Sequence, residues 1–375
     1  MSKGVLDGIR VVDWTLFHQG PAGGMYLAAL GADVIHVEQR GVGDVARGST
    51  TVSGVSMSLP GDRNLVFEEL NTNKRGISLD LTKQKGREIM YRLVEKSDVF
   101  ITNYRTQAVE KLVLDYETLR RRNPKLVYGH ATTYGERGPE KDSPGLELAA
   151  YARSGSMFAA GQKGDPPVYL GLGAGDRLGG VFLAFGAISA LLARERTGTG
   201  QYYSTSQLGA MISLFGLAHS TALFTGKELR IDQRSKAGPL YNVYQCRDGQ
   251  WLALAMVIDP DRFWPDFCRA IDRPELADDP EFDSKAKREE NKEALVAILD
   301  RVFATRDCEE WERKLKMGGD FIFSRVNSLT QAIKDPQILA NEYIVDFDHP
   351  EFGRVKQVAF PIHFSETPAS IHSPA

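Results

Sequence analysis

Residues 171–180, Gly-Leu-Gly-Ala-Gly-Asp-Arg-Leu-Gly-Gly, set one carboxylate, Asp176, among five glycines at the start of an apolar stretch. Glycine lets a backbone approach a ligand closely and turn its N–H groups toward an oxyanion, and a helix amino terminus favours negative charge. A carboxylate placed there has two uses. It can cap the helix that follows, or it can attack a carbonyl carbon. Attack demands a dry, preorganised setting, because hydration makes a carboxylate a feeble nucleophile in water. The local sequence leaves both uses open.

Other chemistries lack their signatures. The turn after the first predicted strand, Gln19 to Gly24, does not have GxGxxG spacing, and there is no GxxxxGK[ST] loop, GxSxG elbow or HExxH helix. Cys246, Cys268 and Cys308 are widely spaced and form no CxxC pair. They read as reduced structural thiols rather than a zinc site or a disulfide framework, and no metal ligands are assigned. A formal net charge of -3 with scattered cations gives no basic stripe for a nucleic-acid backbone. No apolar run approaches the roughly 18 uninterrupted residues of a membrane span, and the start, Met1-Ser-Lys-Gly, lacks a signal-peptide core. The expectation is a cytoplasmic protein with neither a membrane nor a nucleic-acid partner.

The elements that must position these residues alternate. Ile9–Trp14 reads as a strand, Gln19–Gly24 as a turn, Met25–Leu30 as a helix and Asp33–Glu38 as a strand, a Rossmann-like opening. Gly76–Leu81, Asp98–Thr102 and Leu126–Ala131 continue as strands, with helices over 83–96 and 109–122. The pattern predicts an α/β fold with an open parallel sheet and ligands at the carboxyl ends of its strands. Gly179–Arg194 reads as a buried helix stopped by Thr197-Gly-Thr-Gly200, Gln201–Ser206 as a strand and Leu208–Leu223 as one more helix. A hairpin follows, Leu240–Cys246 and Trp251–Met256 with Asp248-Gly249 at the turn, and then helices over 261–271, 285–303 and 307–316. We expect a large Rossmann-like domain from 1–205 and 325–375, a linker helix over 206–227 and a small α+β domain over 228–324.

Several landmarks, taken together, resemble the family III CoA transferases, of which formyl-CoA transferase is a member. They are Leu6-Asp-Gly-Ile-Arg-Val-Val-Asp13, Gly20-Pro21, Leu30-Gly-Ala-Asp-Val-Ile-His-Val-Glu38, Arg40-Gly-Val-Gly-Asp44, Asn73-Lys74-Arg75, Asn103-Tyr104-Arg105, Gly175-Asp176, Arg194 to Gln201, Asp335-Pro336-Gln337 and His349-Pro350-Glu-Phe-Gly353. The resemblance implies an interlocked homodimer that takes acyl-CoA and a small carboxylic acid as substrates and holds no tight cofactor. It makes Asp176 the nucleophile, passing through a mixed anhydride and an aspartyl-CoA thioester, with Glu147 as a supporting acid. It places Arg40, Lys74 and Arg75 near the coenzyme A phosphates and Gln19, Asn103 and Arg105 along the thioester and pantetheine arm, with Lys111 a further coenzyme A-binding residue.

Trp14, Phe17 and Tyr134 are candidates for an acyl pocket, while His18 and His130 are read as packing or hydrogen-bonding residues rather than acid–base groups. The racemase branch of the superfamily places a histidine directly before the second acid. Here that position is Leu146, which cannot carry a proton, so a racemase or isomerase is the second reading. A non-catalytic subunit of a heteromeric transferase is the third, motivated by an end at Ala375 where relatives commonly continue. The glycine-rich flap of formyl-CoA transferase has no counterpart around Arg234-Ser-Lys-Ala-Gly238.

Overall fold

The computed structural model describes residues 4–171 and 173–375, so Met1–Lys3, on which the leader reading bears, and Leu172 lie outside it. The chain divides into two compact units, the first made of Met1–Ala160, Pro167–Leu229 and Leu339–Ala375, the second of Gly161–Pro166 and Arg230–Ile338. The boundary expected at 324/325 would cut a strand. Phe323–Val326 pairs antiparallel with Trp251–Ala255, Trp251 opposite Val326, so the second unit keeps its third strand and runs on to Ile338. It also takes in Gly161–Pro166, where the Lys163 amide donates to the Ile231 carbonyl at 2.8 Å.

The first unit is built on a six-stranded sheet. We number its strands β1 (Arg10–Trp14), β2 (Asp33–Gln39), β3 (Arg75–Leu79), β4 (Val99–Thr102), β5 (Val127–Thr132) and β6 (Tyr202–Ser206). Every pairing is parallel and the spatial order is β6-β5-β4-β1-β2-β3. Side chains alternate across each strand, so neighbours in sequence enter different cores. Val11, Val34, Val99 and Val127 pack with Leu27 and Leu183 on one face. Val12, Val37, Phe100 and Tyr128 pack with Met90 and Leu119 on the other. Burial on both faces is why these strands read as unbroken apolar runs.

Four helices matter to the site: α1 (Gln19–Ala29), α2 (Glu147–Arg153), α3 (Ala174–Thr197) and α4 (Gln207–Leu214). The helix expected over 179–194 therefore starts earlier, inside the glycine-rich segment, and it ends where expected, at Gly198 with φ 73°. By length and composition α3 is long and apolar enough to cross a membrane, more so than the sequence reading allows. In the fold its Leu183, Ala184 and Ala187 are buried in the core of the sheet. The single helix expected over 208–223 is two, α4 and Gly216–Thr225, bent by 74°. The break falls at Phe215-Gly216, a glycine position of the kind where helices kink.

In the second unit Tyr241–Gln245 and Trp251–Ala255 form the expected antiparallel pair, with Gly249 at φ 78° in the turn. Trp264, Phe267, Leu299 and Trp311 fill its core. Cys246, Cys268 and Cys308 are free and buried.

Candidate active site

In this strand order the connections diverge between β1 and β4, and a crevice opens at the carboxyl ends of those two strands. A cavity of about 560 Å³ sits there. Its walls come from Leu16–Gln19 after β1, Asn103–Ala108 after β4, Thr133 and Tyr134 after β5, and Gln207 after β6. Glu147, Tyr169 and Asp176 complete it.

Asp176 is the third residue of α3 and only 7% exposed. Its Oδ1 accepts from Gln207 Nε2 at 2.5 Å, and His18 Nδ1 lies 3.2 Å from its Oδ2. It does not cap the helix, for the N-cap is Gly173 at φ 75°. Glycine is required at 173 on two counts: the backbone is left-handed, and a Cβ there would sit 1.9 Å from His18 Cε1. At position 180 the reason is packing, since a Cβ would meet Ala22 Cβ at 2.7 Å and hold α1 and α3 apart.

The Gly175 amide is not free to serve in the expected cradle. The Gly175 N–H donates to Glu147 Oε1 at 2.5 Å, the Asp176 N–H reaches the same oxygen at 3.4 Å, and the Arg177 N–H closes on the Gly173 carbonyl at 2.7 Å. Two of the first-turn donors that any helix leaves open, those of Gly175 and Asp176, are therefore taken by Glu147. Glu147, first residue of α2 and 7% exposed, is the external cap of α3. Its Oε2 accepts the Tyr169 hydroxyl.

The loop carrying His18 is held by side chains from two directions. Asn103 accepts the Leu16 N–H and donates to the Leu16 carbonyl, each at 2.9 Å, while Asp44 Oδ1 accepts the Phe17 N–H at 3.0 Å. Phe17 is thereby kept at φ 64°, a conformation that costs a non-glycine residue about 1–3 kcal/mol and persists only when its surroundings fix it. Asn103 is thus occupied in bracing the loop. Gln19 is 4% exposed and packs its amide against Gly179, where a Cβ would come within 2.5 Å of Nε2.

Of the residues expected to meet coenzyme A, Gln19, Asn103 and Arg105 line the cavity and Arg105 is exposed there. Arg40 and Lys111 are exposed but outside the lining. Lys74 is a correction. Its Nζ is buried and donates to Asp13 Oδ2 at 2.7 Å, the Pro21 carbonyl at 2.8 Å and Asn71 Oδ1 at 2.9 Å, which uses every proton of an ammonium. Asp13, wholly buried in β1, needs that counter-ion. Burial pushes its carboxyl upward, but Lys74 and His36 outweigh this and hold it well below the usual carboxylate range.

Arg75 is the second correction. It opens β3 and pairs with Asp33, which opens β2 and also takes Arg10. In the parallel register Arg75 lies opposite Ile35, five residues before Arg40, so Arg75 and Arg40 are at opposite edges of the sheet, about 17 Å apart along the strands. Arg75 therefore faces away from the cavity edge.

Sequence reasoning misses three residues here. It reads His18 as a packing or hydrogen-bonding residue without placing it at Asp176, and it does not single out Gln207 or Tyr169. Gln207 carries a usable signal, as the first residue beyond β6 at the carboxyl edge of a parallel sheet. Nothing in the chain marks Tyr169, which lies 22 residues from the carboxylate it serves.

The comparisons agree with this architecture. The model of CoA-transferase family III matches residues 6–375. Curated relatives include an (R)-2-hydroxy-4-methylpentanoate CoA-transferase of Clostridioides difficile, 30% identical over 99% of this chain and 92% of its own. A succinyl-CoA:mesaconate CoA-transferase of Haloarcula hispanica is 32% identical over 97% and 91%. Among solved structures, a CAIB/BAIF family protein from Brucella suis superposes with a TM-score of 0.88 at 28% identity, covering 100% of this chain and 96% of that one. The chain belongs to CoA-transferase family III, and its general activity is the transfer of coenzyme A.

Proposed function

We propose that the chain moves coenzyme A from an acyl-CoA to a small carboxylic acid through covalent intermediates on Asp176. A carboxylate oxygen of Asp176 attacks the thioester carbonyl, the C–S bond breaks, and coenzyme A leaves as its thiolate from a mixed anhydride. The thiolate then attacks the aspartyl carbonyl, the anhydride C–O bond breaks, and the donor acid departs as a carboxylate, leaving an aspartyl-CoA thioester. The acceptor carboxylate reverses the sequence: it attacks the aspartyl thioester, releases the thiolate, and is attacked by it in turn, so Asp176 is restored. Each step exchanges one anion for another and no proton has to be supplied.

The observation that carries this reading is the Asp176 carboxylate itself, nearly dry, at a cavity at the switch point of the sheet, and gripped by Gln207 and His18. Burial strips the water that would blunt it. With the Gly175 and Asp176 amides turned to Glu147, those two donors are not free for the developing oxyanion. Glu147, accepting from Tyr169 and two amides, fits a fixed anion better than a proton donor. Coenzyme A enters as substrate, past Asn103 and Arg105. Hydroxylamine trapping and intact-mass measurement should find an acyl adduct on Asp176, and D176A should abolish transfer. Full turnover by D176A would discard the mechanism.

His18 beside Asp176 gives the isomerase reading one specific observation, an imidazole and a carboxylate in contact. Two-base racemisation needs its bases on opposite faces of the substrate carbon, whereas these two touch each other, and Leu146 supplies no replacement. Deuterium uptake at the α-carbon in heavy water, with no acceptor acid present, is the result that would favour it. We also propose a homodimer, supported by exposed Leu217, Leu223 and Phe224 at 76%, 84% and 90%. Light scattering that returns a monomer at micromolar concentration would remove that part.

A further inference from the structure

Glu147 serves two clients at once. Its Oε1 takes the amides of Gly175 and Asp176, and its Oε2 takes the hydroxyl of Tyr169. An ionised carboxylate only accepts, so the phenol is the donor. Burial and then the bond to Glu147 push the Tyr169 phenol upward, which keeps its proton in place. The ring meets fully buried Tyr151 edge-on, with centroids 5.7 Å apart.

The N-cap of α3 is a glycine, so the helix start has no cap of its own and borrows one from α2. A carboxylate anchored through one oxygen can swivel about its Cγ–Cδ bond. Anchoring the second oxygen removes that freedom. We propose that Tyr169 is a positioning residue for the nucleophile, acting through Glu147: its hydroxyl fixes one carboxylate oxygen so that the other stays on the α3 amides, which sets Asp176 against Gln207 and His18. The inference rests on Asp176 being the nucleophile. Misplacing a reacting group by about 1 Å costs on the order of 100-fold, so a device of this kind registers in turnover rather than in substrate affinity.

Y169F keeps the ring against Tyr151 and deletes only the hydroxyl. In steady-state transfer assays it should lower kcat about tenfold while KM for the acyl-CoA stays within about twofold. The deciding comparison is a double-mutant cycle with E147A, or with E147Q if E147A does not fold, since a carboxamide offers one acceptor oxygen where the carboxylate offers two. In either background Y169F should cost no more than about twofold. Wild-type kcat in Y169F, an effect confined to KM, or losses that multiply in full would each overturn the role of Tyr169. D176N, assayed alongside, separates the two ideas. If D176N is inactive and the losses multiply, only the Tyr169 inference fails, whereas a D176N that turns over removes the nucleophile assignment and this inference with it.

Discussion

Replacing Lys74 by methionine separates a structural lysine from a ligand-binding one. The variant keeps the aliphatic stem, deletes three hydrogen bonds from Nζ, and leaves the Asp13 carboxylate buried with Thr15 and the His36 ring 3.4 Å away but without its ammonium. Removing one member of a buried ion pair typically costs about 3–5 kcal/mol because the remaining charge is stranded. That is a large share of the roughly 5–15 kcal/mol that holds a domain folded. At about 2–4 °C per kcal/mol for a domain of this size, the melting temperature should fall on the order of 10 °C. The repair is part of the test. An asparagine side chain is nearly isosteric with that of Asp13 and carries no charge, so D13N/K74M should regain at least about half of the loss. Differential scanning calorimetry reads the stability, and KM for the acyl-CoA reads the rival role. A K74M protein that melts within about 2 °C of wild type while its KM rises tenfold would refute the buried-pair reasoning.

Other perturbations bear on the site directly. Q207L removes the carboxamide that holds Asp176 Oδ1, and kcat should drop about 10–100-fold with KM little changed in steady-state kinetics. G173A drives a methyl group into the His18 ring at a left-handed position, so stopped-flow turnover should fall with His18 displaced and chemical denaturation should show a loss of about 1–2 kcal/mol. His36 gives a pH signature. Burial pulls it down from 6.5, but the Asp13 carboxylate and the contacts to Asp13 and Asp44 more than offset this, so its value in the fold is raised. Those contacts, at 3.4 and 3.5 Å, are electrostatic rather than well-aligned hydrogen bonds. A raised value means stabilisation that is complete below pH 6.5 and lost as pH climbs through the folded value. Urea melts of wild type should weaken over that interval, and melts of H36Q should lose that part of the decline.

The alternation of strands and helices is legible because parallel strands buried on both faces leave apolar runs with glycine or polar punctuation between them. Asp176 stands out by its glycines, yet the purpose of those glycines does not. Density of glycine in sequence fails to distinguish an amide cradle from close helix contact, and only the fold shows Gly180 against Ala22 and the Gly175 amide spent on Glu147. Lys74 and Arg75 mislead for a related reason. Adjacent cations look alike in a chain, but one turns inward to neutralise Asp13 and the other opens a strand at the far edge. Gln207 and Tyr169 reach the site from 31 and 22 residues away from their partners, a proximity no local spacing encodes.

The glycine seam where α1 meets α3 divides the cavity wall into a part that can be redesigned and a part that cannot. His18, at the head of α1, and Asp176, at the head of α3, sit on two helices in contact through Gly180 and Ala22 and through Gly23 and Leu183. Any side chain added along that line would push His18 and Asp176 apart. Leu146, Leu148 and Tyr134 border the same cavity from outside the seam, and Leu146 is 70% exposed. A library aimed at new acceptor acids should vary these three and leave the seam untouched.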